Sequence, residues 1–308
     1  MNLEYPFPDP SPKILKNSNF EEKLNKMSLK NLLIVSDFDF TLTKRFEINK
    51  KTNKREQLLC GFWFYDICPL LPSTFLKSVQ DIKDKYTKYE DDLSLPLKTR
   101  SDMTEKLFTE VLDLLTGLKS IKKNKFLEET INETMKLKPF YYRNGVSKYL
   151  DILRENNIPE IFISGGITEA ITTTLKMLNE KVNFDNIKVI SNEFIYDENE
   201  IAIDYIKPIV FTFNKSEMVD KKIKSFFSLE ELKEKDILFT GDHINDIDAI
   251  KDIDCRNKLS IAFDNNVTDK NMNDEYLKKY DAVVCNDGDF NFVVETLEKI
   301  IKNSIRYD

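Results

Sequence analysis

Short runs of consecutive apolar residues that alternate with helical patterns constrain the fold of this chain more than any other feature of its sequence. The first run is 32–36, and its continuous apolarity is typical of a parallel strand that is buried on both faces. Similar runs follow at 160–164, 187–191, 236–240, 259–263 and 281–285. Most are separated by segments with apolar residues at spacings of three and four, at 144–156, 168–179, 216–227 and 290–302. This alternation predicts an α/β fold built on a doubly wound parallel sheet.

One stretch breaks the alternation between strands and helices. Residues 72–137 contain helical patterns without an intervening strand, at 74–89, 101–118 and 123–137. The segment 44–55 before them is polar and basic, which is typical of a mobile hairpin. The sequence therefore predicts a core of residues 1–45 and 140–308, with a flap and a helical cap, residues 46–139, inserted after the first strand.

Charge, cysteine content and histidine content exclude several classes of protein. The chain has 308 residues, a formal net charge of -7 and a pI near 5.2, which argues against a large nucleic-acid-binding surface. The four cysteines are scattered without a CxxC pair, so neither a disulfide framework nor a zinc site is indicated. The single histidine, His243, excludes hydrolase classes that need histidines in defined roles. Carboxylates must therefore carry any chemistry.

The distribution of apolar residues also bears on location. No stretch approaches the roughly 18 apolar residues that a membrane-spanning helix needs, and residues 1–27 lack the apolar segment of a signal peptide. Scattered cysteines fit a reducing compartment. We therefore expect a cytoplasmic protein that has no membrane partner.

Two aspartates, Asp37 and Asp39, directly follow the first predicted strand. The carboxyl ends of parallel strands border the crevice in which open α/β sheets bind ligands. A carboxylate at this place can attack phosphorus and form an aspartyl-phosphate, while its neighbour transfers a proton. Taken alone, the pair is equally consistent with two acidic residues in a helix-capping turn. Its interpretation therefore depends on the rest of the chain.

A second acidic pair, Asp242 and Asp246, follows the predicted strand 236–240. Magnesium in proteins is commonly bound by one or two carboxylates together with a substrate phosphate, and this pair suits that purpose. An acidic cap at the start of a helix would explain one aspartate, but it would explain neither the second aspartate nor Gly241. The pair therefore indicates a metal site at the same edge of the sheet.

Two weaker signals complete the set. Ser164 ends a predicted strand and is followed by Gly165 and Gly166, so a tight turn can offer a hydroxyl and backbone N–H groups to an anion. Lys215 stands at the start of a predicted helix, where a lysine is poorly placed for the helix dipole and is most often a solvated surface charge. Ser-Gly-Gly is also a common turn. Both signals gain weight only beside the aspartates.

In chain order, these four motifs resemble those of the haloacid dehalogenase (HAD) superfamily. Its phosphatases carry a nucleophile and acid/base pair, a hydroxyl anchor, a cationic anchor and a metal-binding acidic pair on a doubly wound fold. The opening motif, 36–46, is similar to that of cytosolic pyrimidine 5′-nucleotidases, the type III group that also includes 7-methylguanosine-monophosphate phosphatases. Further similarity lies at 85–90, 187–192, 213–215 and 241–242, so the resemblance spans about 12–302.

The resemblance implies a role for each motif residue. Asp37 is the nucleophile, and Asp39 is the general acid and base. The substrate phosphate is bound by Ser164, Gly165 and Lys215. The implied enzyme is a monomeric HAD phosphatase that hydrolyses a nucleoside 5′-monophosphate, CMP or UMP, through an aspartyl-phosphate.

The resemblance also implies a magnesium site. Asp37, the backbone carbonyl of Asp39 and Asp242 bind Mg²⁺, and Thr41 and Asp246 lie behind these ligands and support them. Mg²⁺ is therefore the expected cofactor.

Base recognition is the least constrained part of the site. By resemblance Glu90 is a cap residue that contacts the nucleobase, whereas in isolation it is a typical solvated charge at a helix end. The related helices carry aromatic residues and a serine after this glutamate, and here Phe108 and Thr109 are the candidates to replace them. The aromatic run 62–65 can stack on a base, although such runs more often belong to a core. Gly165 stands where alanine is usual.

Several alternatives stay open on the sequence alone. Within the same superfamily they are a 7-methylguanosine-monophosphate phosphatase, a capped phosphatase for a phosphoserine-like or sugar phosphate, and a nucleoside phosphotransferase. Outside enzymes of this kind they are a phospho-accepting receiver domain and an inactive binding homologue. A receiver domain is disfavoured by the helical insertion and by Asp39, and an inactive homologue is expected to lack Asp37 or Asp39.

Overall fold

The computed structural model describes residues 3–6, 13–49, 52, 54–90, 92, 94–122, 125–266 and 270–305. Two predicted elements extend beyond these ranges. Residues 50, 51 and 53 of the predicted hairpin, and residues 123 and 124 of the last predicted cap helix, lie outside the described residues.

The strands follow the predicted apolar runs closely and include several short ones that the sequence did not indicate. Their bounds are β1 Ile14–Lys16, β2 Leu32–Asp37, β3 Phe46–Ile48, β4 Arg55–Gln57, β5 Glu160–Ile167, β6 Ile187–Asn192, β7 Phe194–Tyr196, β8 Ala202–Tyr205, β9 Asp236–Gly241, β10 Asn257–Asp264 and β11 Ala282–Cys285.

The helices likewise match the periodic segments to within a few residues. Their bounds are α1 Phe20–Lys26, α2 Ser73–Tyr86, α3 Leu97–Gly117, α4 Lys125–Leu137, α5 Val146–Glu155, α6 Thr168–Leu178, α7 Lys215–Phe226, α8 Leu229–Lys233, α9 Lys270–Lys279 and α10 Asn291–Ile305. Short 3₁₀ helices add Leu29–Asn31, Gly61–Tyr65, Thr87–Tyr89 and Asp246–Ile250.

A seven-stranded sheet in the order β1-β11-β10-β9-β2-β5-β6 forms the core. Strands β2, β5, β6, β9, β10 and β11 pair in parallel, whereas β1 pairs antiparallel with β11 at the edge. The chain builds outward from β2 through β5 to β6, and then crosses to β9 on the other side of β2. The predicted doubly wound α/β fold is therefore confirmed. The change of direction lies between β2 and β9, which is where open α/β sheets bind ligands.

Side chains of the central strand β2 point alternately to the two faces of the sheet, and each face is covered by helices. Leu32 and Ile34 of β2 belong to one hydrophobic cluster, and Leu33 and Val35 belong to a second cluster on the opposite face. Helices α1, α5, α6 and α10 supply the first cluster, and α7 and α8 supply the second. A strand buried on both faces needs such a continuous apolar run, which is the pattern that the sequence shows.

The helical insertion lies between β4 and β5 and contains α2, α3 and α4, as the strand-free stretch predicted. Before it, β3 and β4 form an antiparallel hairpin. Buried residues of these helices, such as Phe75 and Leu107, belong to the same cluster as one face of the sheet. The exact bounds of the predicted core and cap stay a prediction.

A second hairpin, formed by β7 and β8, is hydrogen-bonded to the insertion. Ala202 N–H donates to the carbonyl of Ile121 at 2.8 Å, and Tyr205 Oη donates to Asp113 Oδ1 at 2.8 Å. The sequence did not predict this hairpin, because its strands have only three and four residues. It connects the core to the cap helix α3.

No helix in the described part of the chain combines the length and the apolarity needed to cross a membrane.

Candidate active site

The turn after β2 presents two aspartates to the crevice. Asp37 is the last residue of β2, and Asp39 follows after one residue. Phe38 between them is buried and packs edge-on against Phe162, with the ring centroids 5.8 Å apart. Phe40 then takes a left-handed backbone conformation with φ of 61°, which turns the chain away from the sheet. Asp37 and Asp39 consequently line the same cavity.

Asp37 is held by one cation and one hydroxyl. Lys215 Nζ donates to Asp37 Oδ1 at 2.6 Å, and it also donates to Asp246 Oδ1 at 2.9 Å. Thr41 Oγ1 donates to Asp37 Oδ2 at 3.0 Å. Lys215 is the first residue of α7, so the fold brings this helix start to the end of β2. The position of Lys215 is unfavourable for the helix dipole, but it allows the ammonium group to bind both carboxylates.

Asp39 has different partners. Its Oδ1 accepts a hydrogen bond of 2.5 Å from the backbone N–H of Gly61, and its Oδ2 accepts one of 3.4 Å from Ser164 Oγ. Ser164 in turn accepts from the backbone N–H of Gly166 at 2.9 Å. Gly61 precedes the cap helices, so this contact joins the acid/base candidate to the insertion.

Gly165 lies where the cap meets the core. A Cβ added at this position would lie 2.9 Å from Cε1 of the Phe108 ring, which is closer than real Cβ contacts allow. Asn192 Nδ2 donates to the Gly165 carbonyl at 2.8 Å and holds the turn in place. The missing side chain therefore makes room for a ring of α3.

Three carboxylates converge beside the nucleophile candidate. Asp37, Asp242 and Asp246 can each offer an oxygen such that these oxygens lie within 4.8 Å of one another. The backbone N–H of His243 donates to Asp246 Oδ2 at 2.9 Å and orients that group. A small, hard cation with oxygen ligands suits such a set, and Mg²⁺ is the divalent cation most often bound in this way with a phosphate. The residues present therefore fit a magnesium ion.

Burial shifts the pKa values of the two motif aspartates upward. Burial is the largest influence on Asp37, and although Lys215 acts against it, the pKa of Asp37 rises to about 6. Burial likewise raises the pKa of Asp39 to about 7, against the hydrogen bond from Gly61. The pKa of Asp246 is lowered, since Lys215 and neighbouring groups outweigh the effect of burial. Asp39 is thus the carboxyl more inclined to carry a proton near neutral pH.

The cavity above these groups has a volume of about 520 Å³ and is closed on one side by the insertion. Its cap wall includes Phe62, Trp63, Phe108 and Glu90. The rings of Phe62 and Phe108 lie 4.4 Å apart, and Trp63 meets Phe62 edge-on at 4.8 Å. A space of this size with an aromatic wall can enclose a small organic ligand.

Glu90 is anchored from both the core and the cap. Thr212 Oγ1, in the loop before α7, donates to Glu90 Oε1 at 2.5 Å. Arg100 Nε and Nη2 donate to the Glu90 carbonyl at 2.9 and 2.6 Å. Within the described residues, Glu90 Oε2 accepts no hydrogen bond, so it is available to a ligand.

The structure brings together the motif residues that sequence analysis selected, whereas Thr109, a candidate to replace the serine of related helices, does not line this cavity. The cavity itself is lined by Asp37, Asp39, Glu90, Ser164, Gly165, Lys215 and Asp242. Thr41 and Asp246 lie directly behind, in contact with Asp37 and Lys215. The resemblance implied a supporting role for Asp246, whereas the acidic pair by itself indicated a metal site, and the Asp246 carboxylate does lie within reach of those of Asp37 and Asp242. The expected contribution of the Asp39 carbonyl stays a prediction.

Sequence reasoning did not find several groups that shape the site. Gly61, Thr212 and Asn265 contact Asp39, Glu90 and Asp242, respectively. Gly61 begins a short 3₁₀ helix, Thr212 lies in the loop before α7 and Asn265 directly follows β10, but none of them belongs to a recognised motif. The one available signal was the aromatic run 62–65, which pointed to the segment that begins with Gly61.

Comparison with known proteins agrees with this geometry. The family model described as pyrimidine 5′-nucleotidase (UMPH-1) matches residues 40–301. The 7-methylguanosine phosphate-specific 5′-nucleotidase of Drosophila melanogaster is 24% identical over 257 residues, which cover 82% of this chain and 75% of that protein. The putative cytosolic 5′-nucleotidase 3 of Caenorhabditis elegans is 25% identical over 274 residues, which cover 88% of this chain and 69% of that protein.

Solved structures show the same fold. Cytosolic 5′-nucleotidase IIIB bound to cytidine superposes with a TM-score of 0.75 at 20% identity, covering 96% of this chain and 95% of that chain. A probable phosphoserine phosphatase from Vibrio cholerae gives 0.51 at 11% identity, covering 92% of this chain and 69% of that chain. The matched span, 40–301, is most of the chain and includes the cap and three of the four motifs. The chain therefore belongs to the pyrimidine 5′-nucleotidase (UMPH-1) family.

Proposed function

We propose that the protein is a Mg²⁺-dependent 5′-nucleotidase that hydrolyses pyrimidine nucleoside monophosphates, CMP and UMP, through an aspartyl-phosphate. One observation carries the proposal: Asp37, bound to Lys215 at 2.6 Å, and Asp39 line one cavity together with Glu90 of the cap. The candidate nucleophile, proton carrier and base-recognition group thus line a single cavity. Family membership supports the reaction class.

The first chemical step follows from the positions of the two motif aspartates. An oxygen of Asp37 attacks phosphorus in line with the ester bond, so that a bond from Asp37 to phosphorus forms and the bond from phosphorus to the ribose O5′ breaks. Asp39, whose pKa is raised to about 7, gives its proton to the departing O5′. The nucleoside leaves neutral, and Asp37 carries the phosphoryl group.

The second step reverses the role of Asp39. As a carboxylate, it accepts a proton from a water molecule that attacks the phosphorus, and the bond between Asp37 and phosphorus breaks. Gly61 N–H and Ser164 hold Asp39 for both steps. Inorganic phosphate is released, and both aspartates regain their starting states.

The remaining groups of the site serve to balance the negative charge of the substrate phosphate. Lys215, Ser164 and Gly165 line the cavity beside Asp37, where they can bind the phosphoryl oxygens on which negative charge is concentrated. Asp37, Asp242 and Asp246 would hold the magnesium ion. When bound, Mg²⁺ would neutralise phosphoryl charge that Lys215 alone cannot balance.

The choice of base rests on Glu90. Its free Oε2 can accept a hydrogen bond from the exocyclic amine of cytosine or from N3–H of uracil, and the aromatic wall can stack on the ring. A second candidate substrate is 7-methylguanosine monophosphate. It is favoured by the same carboxylate and aromatic rings, which suit a cationic base, and by the names of several relatives.

A substrate panel tests the proposal. Phosphate release is measured from CMP, UMP, AMP, GMP, 7-methyl-GMP and p-nitrophenyl phosphate, with and without Mg²⁺. We expect the highest kcat/KM for CMP and UMP and no turnover in excess chelator. Preference for 7-methyl-GMP would select the second candidate, and transfer of phosphate to added nucleoside would indicate a phosphotransferase. No release from any nucleotide would refute a nucleotidase.

We further propose that the enzyme acts as a monomer in the cytoplasm, without nucleic-acid or membrane partners. A single chain supplies every residue of the candidate site. One relative is named a cytosolic enzyme, and all four cysteines are free thiols, as in a reducing compartment. Light scattering of the purified protein would test the monomer, and a dimer mass would refute it.

A further inference from the structure

Arg143 and Asn265 form a buried polar connection between two loops of the site. Arg143 precedes α5, and Asn265 directly follows β10. The two residues are only 0% and 2% exposed. Buried polar side chains cost stability unless they are hydrogen-bonded, so their partners indicate what these residues hold in place.

Arg143 determines the orientation of the Asn265 amide. Arg143 Nη2 donates to Asn265 Oδ1 at 2.7 Å. Because a guanidinium group can only donate, the amide oxygen must face Arg143 and the amide nitrogen must face away. Asn265 Nδ2 then donates to Asp242 Oδ2 at 3.1 Å and to the Phe40 carbonyl at 3.1 Å. Both amide hydrogens are therefore used.

The same pair clamps the turn that follows Asp39. Arg143 Nη2 donates to the Phe40 carbonyl at 2.6 Å, and Arg143 Nε donates to the Thr41 carbonyl at 2.8 Å. Phe40 has a φ of 61°, which is unfavourable for a residue with a side chain. Asp287 anchors Arg143 through an ion pair of 2.9 Å. The loop after β2 and the loop after β9 are thus held by one network.

We propose that Asn265 is a positioning residue that holds the Asp242 carboxylate in the orientation in which it binds the divalent cation, and that Arg143 sets the orientation of Asn265. The inference rests on the proposed function in taking Asp242 as a ligand. Asp242 Oδ1 accepts no hydrogen bond within the described residues, so it stays available to the cation. Asp37 and Asp246 repel Asp242, and without the amide this repulsion would turn it away.

The test measures metal binding without substrate. Mn²⁺ is titrated into the metal-free full chain and free Mn²⁺ is followed by electron paramagnetic resonance, for wild type, Asn265→Ala and Asn266→Ala. Asn266 is the matched control, because it is the next residue and its side chain is exposed. We expect Asn265→Ala to raise the Mn²⁺ Kd by about 10- to 100-fold, and Asn266→Ala to leave it unchanged.

A second variant and a kinetic measurement separate positioning from general stability. Asn265→Ser keeps a small polar side chain and should raise the Kd in the same direction even if Asn265→Ala folds poorly. With either variant, raising Mg²⁺ should recover kcat while the substrate KM at saturating Mg²⁺ stays constant. An unchanged Mn²⁺ Kd in an Asn265 variant with a wild-type circular dichroism spectrum would overturn the proposal. Normal Mn²⁺ binding by a wild-type protein that hydrolyses no nucleotide would refute the proposed function alone.

Discussion

At the scale of single residues, Asp37 is the group on which the proposed chemistry depends most. The substitution Asp37→Asn keeps the size of the side chain and its contact with Lys215, but removes the nucleophile. We expect kcat to fall by about 10⁴-fold or more, since the loss of a nucleophile removes the covalent step. Phosphate release from CMP checks this, with Asp220→Asn as control because Asp220 is exposed and, among the described residues, forms an ion pair with Lys224 alone. Activity within tenfold of wild type would exclude the assigned role.

Glu90 is the residue that tests base recognition. Glu90→Ala should lower kcat/KM for CMP. The loss of transition-state stabilisation should be about 1–3 kcal/mol, which is the range for losing a hydrogen bond to a charged group. Hydrolysis of p-nitrophenyl phosphate should change little, because this substrate has no base. Thr212→Val removes the bond to Glu90 Oε1 but keeps the carboxylate, so its effect should be smaller. Equal losses on both substrates would show that Glu90 is structural.

At the scale of elements, the contact between α3 and the turn after Ser164 couples the cap to the phosphate-binding region. Gly165→Ala would force the Phe108 ring to move, because the new Cβ would lie 2.9 Å from it. We expect a loss of stability of about 1–3 kcal/mol, as for overpacking, and a lower kcat/KM. The double variant with Phe108→Leu should recover part of the stability in urea unfolding. An unfolding free energy of Gly165→Ala equal to that of wild type would show that this contact does not constrain the turn.

A second element-scale prediction concerns the packing of α5 on β5. Glu160 is fully buried in β5, accepts a hydrogen bond of 2.6 Å from Tyr149 of α5, and has its pKa raised to about 8 by burial. Between about pH 4.5 and 8 the folded state holds a proton that the unfolded state releases. Stability from this group is therefore full below pH 4.5 and decreases as pH rises through 8.

The variant Glu160→Gln tests this linkage, because glutamine does not titrate. Relative to wild type, its free energy of unfolding should increase by on the order of 3 kcal/mol as pH rises from 5 to 7.5. Urea unfolding at both pH values measures the difference. A difference between the two proteins that is independent of pH would contradict the raised pKa of Glu160.

At the scale of the whole molecule, the folded state brings together acidic groups whose mutual repulsion favours the binding of a cation. The oxygens of Asp37, Asp242 and Asp246 lie within 4.8 Å of one another, and Lys215 donates to two of these carboxylates. A hundredfold excess of Mg²⁺ over its Kd should stabilise the fold by about 2.7 kcal/mol, which is a rise in Tm of several degrees. Asp242→Asn should raise Tm in chelator, because it removes repulsion, and should reduce the response to Mg²⁺.

Thermal unfolding with chelator, Mg²⁺ and Ca²⁺ checks this prediction. Ca²⁺ prefers more ligands and looser geometry, so it should support little turnover even where it stabilises the protein. Identical Tm values in chelator and Mg²⁺ would argue against a metal site formed by these aspartates.

Much of the fold could be predicted from local patterns. Buried parallel strands require continuous apolar runs, so β2, β5, β6, β9, β10 and β11 were visible in the sequence. Motif residues stand directly after β2 and β9, and the topology of a doubly wound sheet brings such strand ends together. The short strands β1, β7 and β8 were missed because they owe their stability to neighbours distant in the chain.

The amino-acid sequence is sufficient to identify which side chains can do chemistry and on which edge of the sheet they lie, because strand ends and motif spacing are local properties. The groups that surround these side chains follow from the packing of the folded chain. The hydrogen bond from Gly61 to Asp39, the contact of Phe108 with Gly165 and the bond from Asn265 to Asp242 join residues at least 22 positions apart. Such contacts depend on how the cap and loops pack, and no local pattern encodes that packing.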